Sequence, residues 1–70
     1  MLANLIGELA KKRITNQELA ELLGIHRNSV ANKLYGDTAI TLKEALTIYD
    51  TYFSGMDFRW LFEQTAKESA

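Results

Sequence analysis

Apolar positions recur at helical spacing along the chain, in blocks separated by polar or glycine-bearing turns. Leu2, Leu5, Ile6 and Leu9 fall at i, i+3, i+4 and i+7, which predicts a first helix over residues 1–12 with one buried stripe. Thr15 and Glu18 have the T-x-x-E spacing of a capping box, and Ile14 and Leu19 stand where a hydrophobic staple would close around it. A second helix therefore starts at residue 16, with Leu19, Ala20 and Leu23 on its apolar face. Gly24 ends it, because a left-handed residue costs glycine nothing. Ile25 then turns inward and His26 takes the next cap position. Residues 27–34 read as a third helix with Val30 and Leu34 facing in, closed by Gly36.

The second half repeats this grammar. Thr41 and Glu44 form another capping box, with Ile40 and Ala45 as its staple, and open a fourth helix running to Tyr52. Leu42, Ala45, Leu46 and Tyr49 are the expected core stripe of that helix, with Ile48 and Tyr52 on an adjoining face. Residues 53–56 read as a turn. Asp57 caps a fifth helix in which Phe58, Leu61 and Phe62 share a face while Trp60 points elsewhere. Residues 64–70 are polar and small and read as a fraying tail. The expectation is an all-α, compact five-helix fold forming a single domain over residues 1–70.

Composition narrows the function classes. The chain has no cysteine, which excludes disulfides and thiolate metal sites, and a lone histidine gives no basis for a zinc centre. No glycine-rich phosphate loop and no nucleophile beside a base appear, so neither an enzyme, a cofactor nor a small-molecule substrate is expected. No apolar run approaches the ~18 residues of a membrane span. No signal-peptide pattern opens the chain, and a cytoplasmic location follows as the expectation.

Net charge is −1, a poor footprint for a nucleic-acid binder. Its distribution changes that picture. Residues 11–43 carry six basic against three acidic side chains, while residues 44–70 carry two basic against five acidic. The positive part of the chain spans the second and third helices together with Lys11, Lys12 and Arg13 before them and Lys43 after them.

Residues 17–36, QELAELLGIHRNSVANKLYG, resemble the helix-turn-helix of the lambda-repressor and Cro-like family, also called the XRE family. The shared features are Glu18-Leu19-Ala20, Gly24 nine residues after the cap Thr15, an apolar residue at 25, a β-branched residue at 30, and Gly36. Ala20 is small where the two helices would cross. TLKEALTIY, then Asp57-Phe58 with Leu61-Phe62, are similar to the fourth and fifth helices of small phage-type members. The resemblance thus covers nearly the whole chain, with the motif at residues 15–36. It implies a sequence-specific transcriptional regulator of duplex DNA, of phage-repressor type, with the third helix in the major groove.

Family positions carry over residue by residue. The base-reading positions map onto Arg27, Asn28 and Asn32, and the chemistry agrees: Arg pairs with guanine and Asn with adenine. By its own chemistry, and not by a family position, Ala31 on the same face suits contact with a thymine methyl. Asn16, just inside the cap of the second helix, maps onto a phosphate contact, with Gln17 beside it as a second candidate, where helix N–H groups favour an anion. Ser29, Lys33 and Thr38 are further backbone candidates. Lys12 and Arg13 either reach phosphate or simply complement the negative end of the first helix.

Two positions depart from the family. His26 replaces the usual Ser or Thr cap, and is either a weaker cap or a donor to phosphate or base. Asp37 stands where relatives often carry a basic residue, which weakens phosphate contact by that loop. Tyr52, Phe53 and Trp60 are a surplus of aromatics for so small a core and are the expected homodimer interface, on an inverted-repeat operator. The rival reading is a protein-interaction module of a phage or mobile element that keeps the fold without strong DNA binding.

Overall fold

Three helices in succession end on a left-handed residue, and those ends set the path of the chain. The computed structural model describes residues 1–64, so the tail expected over 64–70 lies outside them except for Gln64. Helix α1 spans Ala3–Lys11, α2 Asn16–Leu23, α3 Arg27–Tyr35, α4 Leu42–Ile48 and α5 Phe58–Leu61. No strand occurs among the described residues. The expected all-helical five-helix chain is therefore found.

Four of the five helix starts follow from a side-chain cap. Thr15 and Thr41 both build complete capping boxes, with the N3 backbone N–H donating to the threonine hydroxyl and the Glu18 or Glu44 carboxylate accepting from the cap N–H. Asp57 accepts from the N–H groups of Arg59 and Trp60 to open α5. Helix α1 lacks such a cap. It begins two residues later than expected, because Leu2 is instead buried and donates its N–H to the Leu34 carbonyl at 2.8 Å. That bond ties the chain start to the end of α3.

The ends are as specific. Gly24 (φ 71°) closes α2, so that the Ile25 N–H reaches back to Ala20 at 3.0 Å and Ile25 enters the turn. Gly36 (φ 94°) closes α3 under a second constraint, since a Cβ there would come within 3.2 Å of the Met1 backbone nitrogen. The third end is at Arg13, a non-glycine residue with φ 58°. Its N–H bonds to Ala10 and that of Ile14 to Leu9, the paired bonds of a Schellman motif.

The fourth helix departs from expectation. Its α-geometry stops at Ile48 and the chain continues directly into a π-helical segment, Tyr49–Phe53. Thr47 and Thr51 donate their hydroxyls to the carbonyls four residues back, Lys43 and Thr47, at 2.8 and 2.7 Å. Such back-bonding competes with the helical ladder and favours a widened turn. The core stripe also differs. Ala45, Ile48 and Phe53 are buried, whereas Leu42 is 67% exposed and Leu46 43% exposed. Phe53 lies at the end of the helix rather than in the turn.

The core joins Leu5 and Leu9 of α1, Leu19 of α2, Val30 and Leu34 of α3 and Phe53 into one cluster. Asn4 adds a polar tie, donating to the Trp60 carbonyl at 2.9 Å across α1 and α5. The effect is to hold α2 and α3 against a fixed base, with the outer faces of both helices open.

Candidate nucleic-acid interface

Helix α3 buries one face and exposes the other, and its outward positions form a row. Val30 and Leu34 are at 2% and 4% exposure, while Arg27, Asn28 and Asn32 are exposed. Asn28 and Asn32 are four residues apart and so share a face. Tyr35, 48% exposed, continues the same row three residues on. Its spacing of seven from Asn28 is the signal that sequence reasoning overlooked. Ala31 and Ser29 are half-buried at the flanks of this row.

The start of α3 is held by His26. Its Nδ1 accepts the Asn28 N–H at 3.0 Å. Histidine therefore does cap this helix, and the ring carries its hydrogen on Nε2, as a donor. The cap and the donor are compatible roles of one ring. Asn16 and Gln17 are exposed in the first turn of α2. Gln17, Glu21, His26 and Arg27 come together around a cleft of about 300 Å³ between α2 and α3, floored by Ala20 and Ile25.

Glu21 is a second residue that sequence reasoning passed over. Gln17 Nε2 donates to its carboxylate at 3.2 Å, a contact written in the i, i+4 spacing of the pair. The bond fixes which end of the Gln17 amide faces Glu21, because a carboxylate only accepts. Glu21 also puts a negative charge on the cleft that Arg27 lines.

The basic candidates divide in the structure. Arg13 is exposed and makes no ion pair among the described residues. Lys12 is exposed, with its ammonium 5.6 Å from the centre of the Phe53 ring. Lys11 pairs with Glu8 at 3.1 Å. Lys33 is half-buried and already engaged, donating to the Ala39 carbonyl at 3.2 Å and pairing with Glu44 at 3.2 Å. It ties α3 to the loop and to the start of α4. Glu44 is correspondingly held below its ordinary value of 4.5, first by the Thr41 backbone N–H and further by Lys33, with burial opposing. Asp37 and Thr38 are exposed in the loop.

The expected dimer residues separate too. Phe53 is 1% exposed, filling the core, so it is not available to a partner. Tyr52 is half-buried, its ring edge-on to Phe53 at 6.2 Å between centroids. Trp60 is 42% exposed. Among the described residues, no group of three or more His, Asp or Glu side chains is placed to hold a metal ion, and no helix is long and apolar enough to cross a membrane. Comparison of the chain with protein-family models, with curated proteins and with solved structures finds no match.

Proposed function

We propose that this chain is a sequence-specific regulator of transcription, with α2 and α3 as a helix-turn-helix that binds duplex DNA as a lambda-repressor-like homodimer. The observation that supports this most is the exposed row on α3: a guanidinium and two carboxamides, the groups best suited to base edges, project from a helix whose opposite face is locked in the core. In this reading α3 enters the major groove and Arg27, Asn28 and Asn32 select sequence. Asn16, Gln17, the Nε2–H of His26, Ser29, Lys12 and Arg13 supply phosphate contacts, with Thr38 at the edge. Lys33 contributes through its remaining donor only. No chemistry beyond binding is assigned, and the operator is an inverted repeat read by two copies.

Selection from a randomised duplex library, followed by anisotropy titration of the winner at several salt concentrations, tests this. The expected result is an enriched inverted repeat whose affinity falls log-linearly with salt, by about 0.9 in slope for each phosphate contacted. The alternative, a protein-interaction module, draws support from the acidic second half and from exposed Trp60. Absence of enrichment even near ~50 mM salt, where phosphate contacts are strong, would decide for it.

A further inference from the structure

The largest exposed aliphatic side chains of the described residues sit one turn apart on α4. Leu42 is 67% exposed and Leu46 43% exposed, and their i, i+4 spacing puts them on one flank of the helix. Neither belongs to the core cluster, while Ala45 and Ile48 of the same helix are buried at 4% and 1%. The strip is bracketed by charge. Lys43 is exposed near the start of α4 and Asp50 is exposed just beyond its end. Neither makes an ion pair among the described residues. They stand seven residues apart, about 10 Å along the axis, with Leu46 next to the midpoint.

That arrangement is complementary to itself when reversed. Resting on the dimeric reading above, we propose that a second copy of this chain docks on the Leu42–Leu46 flank, with the two α4 helices antiparallel and Lys43 of each copy opposite Asp50 of the other. A two-fold axis beside Leu46 sets Leu46 against its counterpart, leaves Leu42 at the margin level with Thr51 of the other copy, and makes the ion pair twice. The parallel arrangement would set Lys43 against Lys43 and Asp50 against Asp50. This assigns the interface that buried Phe53 cannot supply. It also favours α4 over Trp60, which is one exposed ring on a helix of four residues.

The strip is small. A standard interface buries about 800 Å² per partner, roughly one sixth of the 4662 Å² surface of the chain. The free dimer is therefore weak, with Kd on the order of 10–100 μM, and bivalent DNA consolidates it.

Sedimentation equilibrium of the full chain without DNA, from ~10 μM to ~1 mM, tests the interface separately from any DNA binding. Wild type is expected to self-associate. Leu46→Glu is expected to weaken association at least ~tenfold, with the helical circular dichroism unchanged because Leu46 is a surface residue. Lys43→Glu and Asp50→Lys should each weaken it, and the double variant K43E/D50K should restore it. A wild type that stays monomeric at ~1 mM would overturn the proposal and leave the strip to an unlike partner. Association that survives Leu46→Glu but is lost in Trp60→Ala would overturn it in favour of α5. Failure of the double variant to recover would overturn the antiparallel pairing. Binding of a single half-site by a monomeric protein would overturn the dimer while sparing the DNA reading.

Discussion

Arg13 adopts a backbone conformation that costs an L-residue bearing a side chain roughly 1 kcal/mol or more. Glycine is the usual occupant of that position in a Schellman end. Arg13→Gly is accordingly expected to raise the unfolding free energy by about 0.5–1 kcal/mol, read from the denaturant midpoint, the gain being limited by the freer unfolded chain. An unchanged or lower midpoint would mean that the aliphatic part of Arg13 packs more than its exposure indicates. Under the DNA-binding proposal the same variant loses affinity on every sequence alike. Arg27→Ala should behave differently, losing ~1–3 kcal/mol at one base pair and relaxing choice there. Uniform loss across a panel of operator variants would assign Arg27 to phosphate instead.

At the scale of the element, the ionised Glu44 carboxylate fastens α4 to the rest of the fold. It closes the Thr41 capping box and holds Lys33 of α3. Because these contacts lower its folded value below 4.5, they stabilise the fold above that pH and are lost as the pH falls through the folded value. Glu44→Gln should lower stability at neutral pH and flatten the decline in acid, measured as unfolding free energy from pH 7 to pH 3. A parallel decline in both proteins would remove Glu44 from the acid response.

The elements also mark how far sequence carries. Caps were legible because capping is local: Thr15 with Glu18, Thr41 with Glu44, Asp57, Gly24 and Gly36 all act as their spacing implies. The face of α4 was not. Positions 42, 45, 46 and 49 satisfy helical periodicity as well as 45, 48, 49 and 52, and only the neighbours in space choose between them. Apolarity alone therefore placed Leu42 and Leu46 inside and Phe53 outside, and packing reversed all three. On α3 the polar row was legible as chemistry. That Lys33 is half-buried and engaged was not, since its partners Ala39 and Glu44 lie across a loop.

At the scale of the molecule, one small core serves all five helices, and Phe53 is its largest fully buried side chain. It arrives there through the π-helical segment, which packs one more residue into the turn than an α-helix does. That surplus bears on how the length of this chain can vary. Loss of one residue from an α-helix turns everything beyond it by about 100° and swings the buried stripe out of the core. Loss of one residue between 49 and 53 lets the segment relax to an ordinary α-helix, with the flanking faces kept in place. Removal of Thr51 should therefore leave a folded chain with cooperative thermal unfolding, whereas removal of Glu21 from α2 should not. If both deletions unfold the protein, the wide turn is a fixed requirement of the core. If only the second does, the turn is the place in this fold where a length change of one residue can be absorbed without disturbing the face that α3 presents.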